Sequence, residues 1–141
     1  METSATPTIT VEAIVQAPVE KVWNYWNNPE NIMQWNAATD DWFCPKAENN
    51  LSVGKKFSYR MEAKDGSFGF DFEGEYTSII EHSKIVYVMS DGRKVEIIFK
   101  SQGNATLVVE TFDPENMNPV DMQKAGWQAI LDSFKKHAES H

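Results

Sequence analysis

Residues 56–112 read KFSYRMEAKDGSFGFDFEGEYTSIIEHSKIVYVMSDGRKVEIIFKSQGNATLVVETF, a succession of apolar runs interrupted by short turns. Apolar and polar side chains alternate within the runs, as they do in half-buried strands. The dipeptides Asp65-Gly66, Asp91-Gly92 and Gly103-Asn104 separate the runs, and they accept the positive φ of hairpin turns. The stretch therefore predicts an antiparallel meander with strands at residues 56–63, 68–80, 84–90, 93–100 and 105–112.

The alternation assigns the side chains of this meander to two faces. The inner face is rich in aromatic residues and methionine: Phe57, Tyr59, Met61, Phe68, Phe70, Phe72, Tyr76, Tyr87, Met89, Val95, Ile97 and Phe99. The outer face has the composition of a solvated surface: Ser58, Arg60, Glu62, Asp71, Glu73, Glu75, Lys94 and Glu96. Because an apolar sheet face must be covered, another element has to pack against the inner face.

The residues before the meander predict one strand and two short helices. Residues 9–16 alternate as a strand, and Val19, Val22, Trp23 and Trp26 then recur at helical spacing after Pro18. A second short helix extends to Trp35, with Asn28 as its N-cap and Pro29 in its first turn. Residues 40–53 follow no regular pattern, although Trp42 and Phe43 can form a short edge strand.

The C-terminal residues predict a long amphipathic helix. Asn118 is expected to cap a helix whose first residue is Pro119. Its apolar face consists of Val120, Trp127, Ile130, Leu131 and Phe134. Only this helix is long enough to cover the inner face, so we predict an α+β helix-grip fold. In that fold a curved antiparallel sheet wraps around the long C-terminal helix, and two short helices follow strand 1.

Length, charge and cysteine content limit the class of protein. The 141 residues suffice for one core, so we expect a single domain at residues 9–138 after a flexible N-terminus at residues 1–8. A net charge of −8 opposes binding to nucleic acid, and no segment is long and apolar enough for membrane insertion. Cys44 is the only cysteine, and the N-terminus does not resemble a signal peptide. We therefore expect a cytoplasmic protein.

No motif in the sequence predicts catalysis or metal binding. His82, His137 and His141 lack the spacing of metal ligands, so we expect surface roles for them and no metal. The carboxylates of Asp71, Glu73 and Glu75 share the outer face and are interpreted as a solvated acidic stripe. Cys44 is expected to be a small, buried or half-buried thiol. Hydrolase and nucleotide-binding motifs are absent, so we predict no catalytic residues and no cofactor.

The inner face predicts either a filled core or a pocket, and the sequence alone leaves both open. Gly74 and Gly126 lack bulk where their neighbours are large, and three tyrosines on or near this face need hydrogen-bond partners when buried. We place Trp35 and Trp42 at the mouth of the pocket, although both can instead pack the helical corner. The predicted ligand-binding residues are Trp35, Trp42, Phe57, Tyr59, Phe70, Phe72, Tyr76, Tyr87, Met89, Trp127 and Leu131.

The order of elements and several short motifs resemble a known superfamily. The motifs are Ala17-Pro18-Val19-Glu20-Lys21-Val22-Trp23, Asn28-Pro29, Trp35, Val53-Gly54, Phe72-Glu73-Gly74-Glu75-Tyr76, and Gly126-Trp127 followed by Leu131. They resemble the START-like or Bet v 1-like (SRPBCC) superfamily, and within it the activator of heat-shock-protein-90 ATPase homologues. This resemblance implies a hydrophobic cavity between the sheet and the C-terminal helix. The superfamily includes lipid, sterol and hormone binders, polyketide cyclases and a chaperone activator domain, so the fold alone does not decide function.

Three functions follow as hypotheses. The first is a non-catalytic protein that binds a small hydrophobic or amphipathic ligand. The second is a cyclase or dehydratase in which Tyr59, Tyr76 or Tyr87 polarises a substrate carbonyl. The third is a modulator of a heat-shock-protein-90-type ATPase, with the chaperone as partner of the outer face. The oligomeric state is not predicted.

Overall fold

The computed structural model describes residues 8–141, so most of the predicted flexible N-terminus lies outside the described residues. Strand β1 is followed by two short helices, six further strands and a long helix. The bounds are β1 (Ile9–Val15), α1 (Val19–Asn27), α2 (Pro29–Trp35), β2 (Trp42–Asn49), β3 (Lys56–Ala63), β4 (Gly69–Ile80), β5 (Lys84–Met89), β6 (Lys94–Gln102), β7 (Ala105–Phe112) and α3 (Val120–Ser140).

The strands form one curled antiparallel sheet, shaped like half a barrel, that holds α3 on its inner side. The strand order is β1-β7-β6-β5-β4-β3-β2. The meander from β2 to β7 therefore runs in sequence order, and β1 adds to its end by pairing with β7. This arrangement confirms the predicted α+β helix-grip fold. None of the helices within residues 8–141 is both long and apolar enough to cross a membrane.

The hairpin turns form where the sequence predicts them. Gly66, Gly92 and Gly103 adopt φ values of 77°, 91° and 76°, a region that glycine enters without steric cost. The helical corner is also confirmed. The side chain of Asn28 accepts a hydrogen bond of 2.9 Å from the backbone N–H of Glu30, and Pro29 occupies the first turn of α2.

The prediction of an irregular segment at residues 40–53 is wrong for most of its length. Trp42–Asn49 forms the edge strand β2, which pairs with β3 and shifts register between Phe43 and Lys46. Pro45 lies within this shift, and an edge strand tolerates the missing N–H of a proline. The bulge interrupts the alternation of side chains, which explains why the sequence pattern looked irregular.

The start of α3 differs from the prediction. Pro119 has an extended ψ of 144° and is the N-cap, so Val120 is the first helical residue. Asn118 does not cap the helix, because its side-chain amide donates to Glu115 Oε1 at 2.9 Å. Val120 is 53% exposed and is not part of the apolar face.

The two halves of α3 have different environments. In the C-terminal half, Leu131, Phe134 and Ala138 are fully buried, and the Phe134 ring packs edge-on against Trp26 and Trp35 at 4.9 and 5.0 Å. The expected surface position of His137 is wrong, because its Nε2 meets Asn31 Oδ1 at 2.8 Å and the side chain is buried. This half completes the core against α1, α2 and the sheet.

Two further expectations concern single side chains. Phe68 is 62% exposed and lies just before β4, so its assignment to the covered inner face is wrong. Its ring instead packs beside Trp42, with 6.0 Å between ring centroids. Cys44 is a buried free thiol, as expected, and its Sγ donates to the carbonyl of Lys46.

Candidate functional site

A cavity of about 480 Å³ lies between the inner face of the sheet and the N-terminal half of α3. On the helix side its wall includes Met122, Gln123, Gly126, Trp127 and Ile130. This volume falls in the range of small-molecule binding sites. The filled core therefore begins at Leu131, and the cavity lies beneath the part of the helix that precedes it.

The sheet side of the cavity is a connected group of aromatic rings. Phe57 contacts Tyr59 and Tyr87, with 4.7 Å between ring centroids in each case. Phe72 extends the group to α3, because its ring meets Trp127 edge-on at 6.2 Å. The edge-to-face contacts of Phe57 with Tyr87 and of Phe72 with Trp127 hold these rings in defined orientations. The sheet side of the cavity is thus an apolar wall of rings that pack against one another.

Two glycines shape the site in different ways. A methyl group on Gly74 would lie 2.6 Å from the Phe57 ring and 2.9 Å from the Tyr87 ring. Gly74 therefore lets these two rings cross its strand. A methyl group on Gly126 would meet nothing within 4 Å, and Gly126 lines the cavity. The absence of a side chain at Gly126 leaves part of the cavity open.

Trp127 is held in place by a stacked contact with the last strand. Its ring lies parallel to that of Phe112, with 3.9 Å between centroids and 14° between planes. Phe112 is fully buried, so it forms a fixed support for the half-buried indole. This contact fixes the helix at its distance from the sheet where the cavity is open.

The three tyrosines line the same cavity but differ in their partners. The Tyr76 hydroxyl donates a short hydrogen bond to Asn49 Oδ1. Burial raises the pKa of Tyr76 to about 12, and burial together with the neighbouring Tyr76 raises the pKa of Tyr59 well above its ordinary range. The Tyr87 hydroxyl forms no hydrogen bond within residues 8–141. Burial also raises the pKa of Tyr87 well above its ordinary range, so all three hydroxyl groups are neutral at pH 7. The cyclase or dehydratase hypothesis stays a prediction.

Glu110 is the most unusual polar group of the site. It lies on β7, lines the cavity and is only 6% exposed. Within the described part of the chain its carboxyl group has no hydrogen bond or ion pair. Burial raises its pKa from 4.5 to about 8, because an apolar environment disfavours the charged form. At neutral pH this carboxyl group is mostly protonated.

Three other polar side chains that border the cavity, those of Arg93, Glu115 and Gln123, are already paired. The Arg93 guanidinium contacts the Asp91 carboxylate at 2.7 Å. The Glu115 carboxylate accepts from the backbone N–H and the side-chain amide of Asn118 at 2.6 and 2.9 Å. The buried Gln123 amide bridges the backbone of residues 115 and 118. These bonds order the segment that leads into α3.

The structure brings together eight of the eleven residues predicted to bind a ligand. The eight that line the cavity are Trp35, Phe57, Tyr59, Phe70, Phe72, Tyr76, Tyr87 and Trp127. Trp35 is buried, and its indole N–H donates to the carbonyl of Tyr25 at 3.0 Å, so it forms wall rather than an exposed mouth. Phe70 is 42% exposed and lies at the open side.

The other three predicted residues lie outside the cavity wall. Trp42 is on the edge strand, where its ring packs beside Phe68 and Phe70 at 6.0 Å. Met89 is buried in the core at the end of β5, opposite Gly74. Leu131 is fully buried under the filled half of α3. That the cavity binds a ligand stays a prediction.

Sequence reasoning missed the polar residues of the site, above all Glu110. The alternation on β7 places Thr106, Val108, Glu110 and Phe112 on the buried side. A glutamate in that series was a usable signal, because an unpaired charged residue is seldom found inside. No comparable signal marked Arg93, Glu115 and Gln123, since they reach the cavity from turns and a helix start.

No group of three potential metal ligands occurs among residues 8–141.

Similar proteins agree with this architecture. An AHSA1-like protein from Aeromonas hydrophila is 43% identical, with a TM-score of 0.89, and the match covers 95% of this chain and 93% of that one. A protein from Cytophaga hutchinsonii is 50% identical, with a TM-score of 0.82 and coverage of 94% and 92%. A protein from Nitrosomonas europaea, 13% identical over 98% and 97%, shares the fold with a TM-score of 0.81.

The comparison with curated proteins found no significant match to the chain. Residues 16–139 match the family described as Activator of Hsp90 ATPase homolog 1-like protein, a range that extends from the end of β1 through nearly all of α3. The chain therefore belongs to the family of proteins that resemble activator of Hsp90 ATPase homolog 1.

Proposed function

We propose that the protein binds a small apolar or amphipathic molecule in the cavity beneath α3. The observation that carries this proposal is the space of about 480 Å³ lined by connected aromatic rings. An apolar cavity costs stability because its lining loses packing contacts. A ligand that fills it restores those contacts.

The first test is ligand-induced thermal stabilisation across a panel of uncharged aromatic compounds, including 2-isopropylnaphthalene and 2-acetylnaphthalene. A ligand that binds only the folded state stabilises it by about 2.7 kcal/mol at a hundredfold excess over its dissociation constant. We expect members of the panel to raise the melting temperature by several degrees. A panel that produces no shift near saturation would contradict the proposal.

A variant that fills the cavity makes the test specific. Gly126→Leu places a side chain into the open space that Gly126 borders, so it should abolish the thermal response. Ala125→Leu is the matched control, because Ala125 is exposed on the same helix and does not line the cavity. Equal responses from both variants would show that the compounds bind elsewhere.

A second candidate function is modulation of a heat-shock-protein-90-type ATPase, which the family match favours. The surface we propose for this contact is the outer face of β3 and β4. There Arg60 contacts Glu62 at 2.9 Å and Asp71 at 3.4 Å, which orders a charged patch. If the partner carries the opposite charges, a patch of this kind steers association more than it adds affinity.

The test is the ATPase rate of the chaperone from the same organism, with and without the protein. We expect the rate to change, and we expect the charge reversal Asp71→Lys to reduce that change. Lys136→Glu, an exposed charge reversal on α3, is the control. An unchanged rate with the native protein would contradict this candidate and leave the ligand-binding proposal intact.

A further inference from the structure

Glu110 lies on the inner face of the sheet with no protein group to bond. Its backbone is flanked by Val11 on β1 and Ile97 on β6, and the neighbours on its own face, Val108 and Phe112, are fully buried. Every fully enclosed side-chain nitrogen or oxygen atom in the described residues has a hydrogen-bond partner, so an atom without a partner must border open space. The unpaired carboxyl oxygens of Glu110 therefore face the cavity that this residue lines.

Tyr87 supplies a second unpaired group in the same cavity. The residue is 7% exposed, and its ring is fixed by edge-on contacts with Phe57 at 4.7 Å and Phe72 at 6.3 Å. By the same reasoning its hydroxyl, which has no hydrogen bond among residues 8–141, opens onto the cavity. Burial is the main cause of the raised pKa of Tyr87, and the nearby Glu110 adds to it, so the two groups also interact electrostatically.

Both groups are uncharged hydrogen-bond donors at neutral pH. Burial holds the pKa of Glu110 near 8 and that of Tyr87 well above its ordinary range. The other titratable side chains facing the cavity are Tyr59, Tyr76, Arg93 and Glu115. Arg93 is the only cationic side chain that lines the described cavity, and it is paired with Asp91, so no free counter-ion favours the ionised form of Glu110.

We propose that the cavity selects ligands that carry a carbonyl or another uncharged acceptor oxygen on an apolar frame, and that the Tyr87 hydroxyl and the Glu110 carboxyl group donate hydrogen bonds to that oxygen. This inference rests on the proposed ligand-binding function. It assigns Glu110 and Tyr87 as the polar anchors in a site whose wall is largely aromatic. Carboxylic acids kept neutral in apolar enzyme sites donate hydrogen bonds to carbonyl oxygens in the same way.

Charged ligands fit this arrangement less well. A cationic ligand would require Glu110 to lose its proton, and it would enter a cavity that Arg93 also borders. An anionic ligand would meet Glu110 and Glu115, and no unpaired cation lines the described cavity to receive it. An uncharged acceptor satisfies both donors without ionising either of them.

The test compares three compounds of nearly equal shape by equilibrium dialysis against the full-length protein. They are 2-acetylnaphthalene, 2-isopropylnaphthalene and 1-(2-naphthyl)ethylamine, which carry a carbonyl, a hydrocarbon and an ammonium group at the same position. At about pH 6 we expect the ketone to bind about tenfold more tightly than the hydrocarbon. This preference should disappear as the pH rises through about 8, because an ionised Glu110 repels the carbonyl oxygen.

Variants assign the preference to the two donors. Tyr87→Phe and Glu110→Leu should each reduce the ratio of hydrocarbon to ketone dissociation constants severalfold. Glu110→Gln keeps a donor without a titrating proton, so it should retain part of the preference and remove its dependence on pH. Because the readout is a ratio for each variant, a general change in cavity shape affects both compounds and cancels.

The outcomes separate this inference from the proposed function. Equal binding of ketone and hydrocarbon would overturn the donor pair and leave the apolar cavity as the binding site. Tighter binding of the amine, increasing as the pH rises through about 8, would also overturn it, because Glu110 would then act as an anion. Binding of none of the three compounds would overturn the proposed function and the inference together.

Discussion

At the scale of single residues, Glu110 couples the site to the stability of the fold. Its pKa of about 8 in the folded protein exceeds its ordinary value of 4.5. The unfolded chain releases this proton above pH 4.5, whereas the folded protein keeps it until about pH 8. The contribution of protonated Glu110 to the free energy of unfolding is therefore fully present below pH 4.5. It is lost progressively as the pH rises to about 8.

Glu110→Gln should remove this loss, because the amide has nearly the same shape and does not ionise. We compare the free energy of unfolding of the variant with that of the native protein at each pH. This difference should favour the variant by about 3 kcal/mol more at pH 8 than at pH 5. Urea unfolding at a series of pH values measures the difference, and other titrating groups cancel between the two proteins. Parallel stability curves would contradict a buried, unpaired carboxyl group.

Replacing Gly74 or Gly126 by alanine should have opposite effects on stability. Gly74→Ala should destabilise the protein by about 1–3 kcal/mol, because the added methyl group overlaps the Phe57 and Tyr87 rings. Gly126→Ala should stabilise it by up to about 1 kcal/mol, because the methyl group enters open space on a helix. Chemical denaturation of both variants checks the pair, and a stabilising Gly74→Ala would refute the assigned packing.

Single positions also show where sequence reasoning stops. The caps and turns that depend on local chemistry, such as Asn28 before Pro29 and the glycines of the hairpins, could be predicted. Asn118 has the same local sequence signature, yet its amide bonds to Glu115 instead. The choice depends on the path of the preceding segment, which the local sequence does not encode.

At the scale of elements, α3 combines a core helix with a cavity wall. Leu131 is fully buried, whereas its neighbour Ile130 is half-buried and lines the cavity. Leu131→Ala should therefore cost about 2–5 kcal/mol and Ile130→Ala only about 1 kcal/mol. Urea unfolding of the two variants compares them directly. Equal losses would mean that the two halves of the helix are packed alike.

The division of α3 explains why three predicted site residues lie elsewhere. A helical stripe from Val120 to Phe134 is continuous in the sequence, but the space beneath it is filled only from Leu131 onwards. Likewise, strand alternation gives the face of Met89 and not its position along the sheet. Trp42 is excluded because the bulged edge strand β2 places it beside Phe70, outside the cavity.

At the scale of the whole molecule, the fold was predictable because several independent signals agree. Strand alternation, glycine turns and an amphipathic final helix all specify a sheet that wraps one helix. The cavity was not predictable in the same way, since an aromatic inner face is equally consistent with a filled core. The empty volume depends on how far Trp127, supported by Phe112, holds α3 from the sheet.

The measurement that tests the account most directly is a two-dimensional NMR titration of the native protein with 2-acetylnaphthalene, with Gly126→Leu in parallel. We predict saturable shifts for the backbone of Phe72 and Tyr87 and for the Trp127 indole N–H, and none of these in the variant. Shifts confined to the outer face, or the same shifts in Gly126→Leu, would contradict a ligand-binding cavity beneath α3.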